Sequence, residues 1–189
     1  MSDRERRLPP GQRPVPRQRD VAIGPKPPFD PAAWDLQVVG LVRQPQQWTW
    51  QQFAGMPRVS VQADLHCVEG WSVLDLVWEG PLLRDLLAAA QPLDEARYLF
   101  VSCADGYTTS LPLDVASRDD VILAWLCNGE PLPDYEGGPV QLIVPGVYAY
   151  KWARWVRQFE LMAEDRLGYW EERGYSNTAD VWKNDRRAR

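Results

Sequence analysis

The sequence predicts a single domain of mixed α+β structure. The chain has 189 residues, enough for one domain with a substantial core but short for two. Strand-like and short helical segments follow one another without the regular strand–helix–strand alternation of a doubly wound sheet. We also find no internal repeat, and together these observations favour a mixed α+β fold over a doubly wound one.

The amino-terminal segment differs from the rest in composition. Residues 1–31 hold eight of the 17 prolines, and such a composition opposes regular structure. We therefore expect residues 1–26 to be a disordered, basic, proline-rich tail, residues 27–182 to form the folded domain, and residues 183–189 to be a charged carboxyl-terminal tail. The prolines of residues 21–31 favour an extended path that could lie across the folded body.

The first half of the folded body is predicted from its apolar spacing and its caps. An alternating pattern predicts a strand from Trp34 to about Val42. Thr49 and Gln52 have capping-box spacing, which predicts a short helix to about Met56. Another strand is predicted over residues 58–65. A helix opened by Gly80 and Pro81 follows, and its apolar face consists of Leu83, Leu86, Leu87 and Ala90.

The second half is predicted to be mostly strands. Residues 98–103 and 108–111 form a predicted pair around the turn residues Asp105 and Gly106. Residues 121–127 are apolar on both faces, which predicts a central strand that ends at the tight turn Asn128-Gly129. Residues 140–144 predict one more buried strand.

The charge pattern excludes several classes of partner. Residues 32–189 carry 14 Lys/Arg against 22 Asp/Glu, and an acidic body lacks the basic face that nucleic-acid phosphates require. No stretch approaches the roughly 18 apolar residues of a membrane span. Arg6 and Arg7 form a twin-arginine pair, but no apolar export segment follows them. We therefore expect a cytoplasmic protein.

One of the three cysteines stands apart from the others. The cysteines are widely spaced and odd in number, which fits neither a disulfide framework nor a zinc knuckle. Cys103 and Cys127 lie in apolar strands and are expected to be structural. Cys67 lies at a polar strand end beside His66 and Glu69, where a thiolate could be a nucleophile or a soft metal ligand.

The neighbours of Cys67 leave alternatives open. His66 is the only histidine, so a multi-histidine metal site is excluded. Adjacent strand residues face opposite ways, so a packing role suits His66 at least as well as a ligand contact, and a Cys67–His66 nucleophile pair has poor geometry. Glu69 could share the face of Cys67 or be an exposed loop carboxylate.

A second candidate site follows Pro145 and Gly146. If the chain forms a helical turn from Tyr150, Lys151 and Arg154 share one face at i,i+3, and the aromatic residues of the opposite face pack inward. A basic face after a glycine-containing turn suits an anionic group such as a phosphate. The alternative is an ordinary solvated charged face.

Taken together, these segments resemble the molybdopterin-dependent oxidoreductase domain of the sulfite oxidase family. The resemblance spans roughly residues 27–182 and is carried by these segments in order: 64–72 (DLHCVEGWS), 78–82 (WEGPL), 104–107 (ADGY), 111–113 (LPL), 128–133 (NGEPLP), 138–140 (GPV), 144–146 (VPG), 148–152 (YAYKW), 168–171 (GYWE) and 174–175 (GY).

The resemblance implies a fold, a cofactor and a set of site residues. The fold is the mixed α+β molybdopterin-binding fold, and the cofactor is Mo-molybdopterin with the Cys67 thiolate as the one protein ligand of the metal. The resemblance also implies that Trp152, Ala153 and Arg154 contact the pterin. The other residues expected near the cofactor are His66, Ser102, Asp105 and Lys151. We expect Glu69 to tune or gate the metal, and Tyr107 or Tyr148 to line the substrate pocket.

Two departures from the family pattern bear on the reaction. Sulfite oxidases place arginines just after the ligand cysteine, whereas Val68 and Glu69 follow Cys67 here, as in the bacterial protein-methionine-sulfoxide reductase branch. A carboxylate near the metal would repel sulfite. Glu136 and Gln141 stand where relatives carry a His or Asn and an Arg that face the pterin. The sequence has no room for a haem domain, so we expect a separate electron-transfer partner protein.

The leading hypothesis is a molybdoenzyme that transfers an oxygen atom to or from a small-molecule substrate. A closely related alternative is a reductase of S-oxides or N-oxides that works with a redox partner. An alternative from another class is a cofactor-free binding module on the same fold. Retention of both the Cys67 segment and the Lys151–Arg154 segment argues against that module.

Overall fold

The computed structural model describes residues 3–18, 22–133 and 138–188. Its helices are α1 (Asp3–Arg6), α2 (Trp50–Ala54), α3 (Leu83–Ala89) and α4 (Leu113–Ala116), with 3-10 turns at Ala149–Lys151 and Glu171–Arg173. Its strands are β1 (Arg13–Pro14), β2 (Asp35–Gly40), β3 (Gln46–Thr49), β4 (Val59–Gln62), β5 (Leu65–Cys67), β6 (Trp71–Val73), β7 (Val77–Gly80), β8 (Tyr98–Cys103), β9 (Thr108–Pro112), β10 (Ile122–Ala124), β11 (Leu126–Cys127), β12 (Glu130–Pro131), β13 (Gln141–Ile143) and β14 (Val156–Met162).

A five-stranded mixed sheet forms one side of the core. Its strand order is β3-β2-β14-β8-β9, and only β2 and β14 run parallel. The alternation that predicts β2 is confirmed, because Leu36 and Val38 are fully buried while Gln37 and Val39 are half-buried. Strands β8 and β9 and the turn at Asp105 and Gly106 also lie where the sequence places them. The predicted single α+β domain agrees with this architecture.

The other strands form three smaller sheets, with orders β12-β11-β7-β4, β1-β6-β5 and β10-β13. The single central strand predicted over residues 121–127 is wrong, because the chain changes sheets at Trp125. Residues 122–124 pair with β13, whereas Leu126 and Cys127 pair with β7. A segment buried on both faces is compatible with either one strand or two, so hydropathy could not reveal the break. The Asn128-Gly129 turn is confirmed, with φ values of 52° and 83°.

The strand predicted over residues 58–65 is likewise two strands in different sheets. Strand β4 ends at Gln62, and β5 begins at Leu65. Asp64 lies in the break, where its carboxylate accepts the backbone N–H of Asp75 at 2.9 Å and pairs with the guanidinium of Arg7 at 2.5 Å. Cys67 therefore belongs to a separate short hairpin of β5 and β6.

Both predicted helices are present. Helix α2 has the complete Thr49–Gln52 capping box. Helix α3 buries Leu83, Leu86 and Leu87 but begins at Leu83, because Gly80 is still part of strand β7. The predicted helical turn from Tyr150 is a 3-10 turn over Ala149–Lys151 that leads into β14 instead of a longer helix.

The chain ends lie against the body, in contrast to the tails that the composition predicts. Strand β1 pairs in parallel with β6. Arg186 donates to the carbonyl oxygens of Val68 and Gly11. Residues 22–31 follow the expected extended path, with the Phe29 ring 4.8 Å from that of Trp50. Among the described residues, no helix is both long and apolar enough to cross a membrane.

Gly80 marks a close crossing of the small sheets. A Cβ at this position would lie 2.2 Å from the carbonyl oxygen of Leu123 on β10. We predict that Gly80→Ala lowers the free energy of unfolding by about 2 to 3 kcal/mol, because one strand must move. Urea denaturation measures this change. The control is Gly106→Ala, where a Cβ meets nothing within 4 Å but φ is +84°, so a loss of about 1 kcal/mol is expected. Equal losses would contradict the crossing argument.

Candidate functional site

The Cys67 thiol lies on a short hairpin at the wall of a cavity. Strands β5 and β6 pair Cys67 directly with Trp71, and residues 68–70 form the turn. Gly70 has a φ of +92°, and a Cβ there would lie 3.0 Å from the carbonyl oxygen of Gly11. The turn therefore favours glycine both for its backbone conformation and for the close approach of the strap formed by residues 11–16.

Strand alternation separates His66 from Cys67. Cys67 lines the cavity, whereas His66 is not among the lining residues. The imidazole Nδ1 lies 2.8 Å from Ser72 Oγ, which in turn donates to the Gln12 side-chain oxygen at 2.9 Å. Burial lowers the pKa of His66 to about 4, so the ring is neutral at physiological pH. The structure thus assigns His66 a packing and hydrogen-bonding position behind the thiol, not the predicted cofactor contact.

Both chain ends hold the turn after Cys67 through its carbonyl groups. Gln12 Nε2 donates to the carbonyl oxygen of Cys67 at 3.0 Å. Arg186 Nη1 donates to that of Val68 at 2.5 Å, and the Arg13 N–H donates to that of Gly70 at 3.1 Å. Three external donors on four consecutive residues fix the backbone that carries the thiol.

Aromatic side chains are the largest group on the cavity wall. The empty space is about 920 Å³, which includes the part that opens to solvent. The aromatic side chains on its wall are Trp71, Tyr107, Tyr150, Trp152, Trp155, Trp170 and Tyr175. The polar side chains on its wall are Gln18, Glu69, Asp105, Gln141 and Arg154.

Gln141 presents an unsatisfied acceptor at this wall. The residue is 2% exposed, and its Oε1 has no hydrogen-bond partner. Its Nε2 makes only a long contact of 3.4 Å to the carbonyl oxygen of Trp152. A buried polar atom without a partner costs about 1 to 3 kcal/mol. A ligand with an N–H donor would satisfy it. Glu136, the other departure from the family pattern, lies outside the described residues.

Arg154 and Asp105 flank the same cavity. The Arg154 guanidinium lies 4.7 Å from the centre of the Trp155 ring. The backbone of Arg154 forms an isolated antiparallel β-bridge with Gln141 of strand β13. The Asp105 carboxylate accepts the backbone N–H of Tyr107 at 3.0 Å. Trp155 has a φ of +53°. This left-handed backbone conformation turns the chain from the 3-10 turn into β14. The predicted helix did not include this change of direction.

Glu69 stands at the cavity on the same hairpin as Cys67. Its side chain is exposed, and its Oε2 accepts a hydrogen bond from Trp71 Nε1 at 3.1 Å. This bond holds the carboxylate beside the cavity wall. Glu69 is therefore an exposed carboxylate on a turn, as one alternative from the sequence had it, and it also lies at the cavity wall.

Tyr107 reaches the cavity, whereas Tyr148 does not. Tyr107 donates its hydroxyl to the carbonyl oxygen of Tyr150 at 2.5 Å, and burial raises the pKa of the Tyr107 phenol. Tyr148 is fully buried, and its hydroxyl donates to Asn184 Oδ1 at 3.2 Å. Ser102 lies within β8 and also falls outside the lining residues.

Lys151 is not part of an exposed basic face. Its side chain is fully buried, and its Nζ donates to Glu171 Oε1 at 2.5 Å, to Asn177 Oδ1 at 2.8 Å and to the carbonyl oxygen of Ser110 at 2.9 Å. Burial lowers the pKa of the ammonium, although Glu171 acts in the opposite direction. All three donors are used within the protein, so both the predicted phosphate contact and the alternative of a solvated face are wrong.

Sequence reasoning missed several wall residues. Tyr150, Trp155, Trp170 and Tyr175 come from three separate segments, so no single motif joins them. Two signals could have found them: the excess of tryptophan, ten in 189 residues, and the segments 148–152, 168–171 and 174–175 that carry the family resemblance. Gln18 and Ile23 also reach the wall, although their segment was expected to be a tail.

The mixed α+β domain and a cavity whose wall carries one cysteine agree with a cofactor-binding domain. Residues 23–170 match the family model described as the oxidoreductase molybdopterin binding domain. The chain therefore belongs to this family, the sulfite oxidase family, and is an oxidoreductase of that family.

Particular relatives narrow the comparison. The uncharacterized oxidoreductase YuiH of Bacillus subtilis is 37% identical over 98% of this chain and 94% of its own length. A putative protein-methionine-sulfoxide reductase subunit, YedZ1 of Azospira oryzae, is 32% identical over 78% of this chain and 56% of its own length. The sulfane dehydrogenase SoxCD of Paracoccus pantotrophus matches with a TM-score of 0.68 and 26% identity, over 74% of this chain and 40% of that one.

The buried Lys151–Glu171 pair should be essential for stability. We predict that Lys151→Met lowers the free energy of unfolding by about 3 to 5 kcal/mol, because it leaves the Glu171 carboxylate buried without its cation. Urea denaturation measures the loss. The double variant Lys151→Met with Glu171→Leu removes both charges and should recover part of it. A single variant that loses less than about 1 kcal/mol would show that the pair is replaceable.

Proposed function

We propose that this chain is a molybdenum-dependent oxidoreductase in which Cys67 Sγ is the one protein ligand of a Mo-molybdopterin centre. The observation that carries the proposal is the position of the Cys67 thiol on the cavity wall. Among the described residues, it is the only cysteine there. A thiolate is a soft ligand suited to a metal centre that is bound by sulfur, and the dithiolene of the cofactor would supply the other sulfur ligands.

The residues of the cavity fit such a cofactor. Trp152, Ala153 and Arg154 form one wall, and the Arg154 guanidinium could hold a phosphate through bidentate hydrogen bonds. Asp105 and the unsatisfied Gln141 Oε1 are acceptors for the N–H groups of a pterin. The bound group would supply two-electron redox chemistry coupled to oxygen-atom transfer, and the protein would position it.

The chain's own residues would then act on the substrate. Glu69 places a negative charge beside the thiolate and disfavours anions such as sulfite in the cavity. Tyr107 keeps its proton, because its pKa is raised and its hydroxyl is bound to the carbonyl of Tyr150. It would therefore shape the pocket and would not serve as a base.

Aromatic side chains and the two carboxylates of Glu69 and Asp105 favour a neutral organic S-oxide or N-oxide as the substrate. Sulfur makes favourable contacts with aromatic rings. The name of one relative, a putative protein-methionine-sulfoxide reductase subunit, supports reduction of the S-oxide as the direction of the reaction. The reverse reaction, oxygen transfer from the centre to a reduced sulfur compound, is the second candidate, and the dehydrogenase name of the structural neighbour favours it.

The alternatives from other classes receive less support. A cysteine nucleophile needs a base, but the neutral His66 faces Ser72 on the other side of the strand. A cofactor-free binding module gives no reason for a thiol held on the cavity wall. One relative is named as a subunit of a reductase, which supports a separate electron-transfer partner for this chain. The cytoplasmic location stays a prediction.

Metal analysis tests the ligand assignment. We predict near-stoichiometric molybdenum in protein from a host that makes the cofactor, and a loss of at least about tenfold in Cys67→Ser, because the metal loses its protein ligand. Cys103→Ser and Cys127→Ser are the matched controls and should keep their metal. Metal-free parent protein from a competent host would contradict the proposal and favour a binding module.

The substrate assignment rests on the Glu69 charge. We predict that Glu69→Gln tightens sulfite binding by about five- to tenfold, which corresponds to about 1 kcal/mol of removed repulsion. Binding of dimethyl sulfoxide should change by less than about twofold, since a neutral molecule feels little of that charge. Titrations of the loaded protein measure both. Glu172→Gln removes a carboxylate that does not line the cavity and should leave sulfite binding unchanged. Equal effects of the two variants would overturn the assignment.

A further inference from the structure

The basic side chains of the protein divide into two groups. On most of the body they are paired with carboxylates, as in Arg58–Glu79, Arg84–Asp119, Arg118–Asp120, Arg157–Asp35 and Arg166–Glu160. Arg43 and Arg97 are exceptions on that part of the surface. A second group of five arginines lies around the cavity: Arg13, Arg17, Arg173, Arg186 and Arg187. Three of them contact backbone oxygens, a side-chain amide or aromatic rings, and the side chains of Arg13 and Arg17 are exposed. Within the described residues, none of these five lies in an ion pair with a carboxylate. We call this set the arginine rim.

Neighbouring contacts place the arginine rim at the edge of the cavity. The backbone N–H of Arg13 and the guanidinium of Arg186 both donate to the turn of the Cys67 hairpin, and the Arg13 side chain is exposed. Arg187 lies 4.1 Å from the centre of the Tyr175 ring, which lines the cavity. Arg173 stacks on Tyr169, whose ring meets that of the wall residue Trp170. Arg17 directly precedes the wall residue Gln18.

The rim contrasts with the charge of the rest of the chain. Residues 32–181 carry 10 Lys/Arg and 21 Asp/Glu, whereas residues 182–189 carry four and one. Glu69 and Asp105 lie on the cavity wall, and Glu172 and Asp185 are each next to a rim arginine in the chain. The five rim arginines outnumber these four carboxylates, on a protein whose net charge is -5. The excess is created by the two chain ends, which meet where Arg186 contacts Gly11.

We infer that the arginine rim is the docking surface for an acidic electron-carrier protein. The inference rests on the proposed function, because a redox centre in the cavity must exchange electrons with a donor. A positive surface beside the centre would steer a negatively charged carrier to it and raise the association rate. A small anionic substrate fits the rim less well, since Glu69 would oppose it inside the cavity. An acidic protein remains outside and meets only the rim.

Binding to purified carriers tests the inference. The probes are flavodoxin and a plant-type ferredoxin, which are acidic, and cytochrome c, which is basic. Titrations use the full-length Cys67→Ser protein, so binding does not depend on molybdenum. We expect at least one acidic carrier to bind, with affinity that falls about tenfold between about 20 and 300 mM salt, as exposed charges are screened. Cytochrome c should bind at least tenfold more weakly than that carrier.

The rim variant is Arg17→Glu, Arg173→Glu and Arg187→Glu in one protein. It should bind the acidic carrier at least about tenfold more weakly than the parent at low salt. The matched control is Arg43→Glu, Arg84→Glu and Arg166→Glu, which changes the net charge by the same amount on surfaces away from the cavity. This control should bind within about threefold of the parent. Thermal unfolding confirms that both variants are folded.

The outcomes separate this inference from the proposed function. Equal weakening in both variants, or no acidic carrier that binds the parent better than the rim variant, would overturn the inference. Tighter binding of phosphatidylglycerol vesicles than of either carrier would assign the rim to a membrane surface and overturn it too. With metal-loaded protein and reduced methyl viologen, the rim variant should keep its turnover. A fall in turnover there would assign the rim to the substrate. Absence of molybdenum from the parent would instead contradict the proposed function alone.

Discussion

The fixed backbone of the Cys67 hairpin is the constraint on which the rest of the site depends. A thiol can meet a bulky cofactor only if its strand neither rotates nor shifts register, since a one-residue slip would exchange Cys67 with His66. The carbonyl groups of Cys67, Val68 and Gly70 are therefore bonded from outside the hairpin, by Gln12, Arg186 and Arg13. Residues from the two ends of the chain thus determine the position of one sulfur atom.

A buried polar cluster fixes the backbone on the other side of the cavity. Lys151 and Glu171 are almost completely inaccessible to solvent, and Thr109 also donates to the Glu171 carboxylate at 2.6 Å. The cluster ties the 3-10 turn before Trp152 to the segment that carries Trp170. Because a buried charge is costly without its partner, the two cavity walls are held together. The lysine that looked like a ligand for an anion thus serves the architecture.

The two proposals place charges at two different distances from the thiol. In the proposed function, the Glu69 carboxylate would disfavour anions inside the cavity. In the proposed docking, the arginine rim would attract acidic partners over about one Debye length. The two proposals are compatible, because a large acidic carrier would approach only the edge of the cavity.

The sequence alone determined the α+β class, the capping box of α2 and the buried face of α3, because each depends on local spacing. The chemistry of the neighbouring residues also distinguished Cys67 from the other two cysteines. The family pattern supplied the wall segment Trp152–Arg154. Only the tertiary structure decided where Lys151, His66 and Tyr148 point, and that the supposed tail braces the thiol. Those outcomes depend on contacts between residues far apart in the chain, such as Lys151 with Glu171 and Arg186 with Val68. Hydrophobic periodicity reports which residues are buried, but it carries no information about which distant partner they meet.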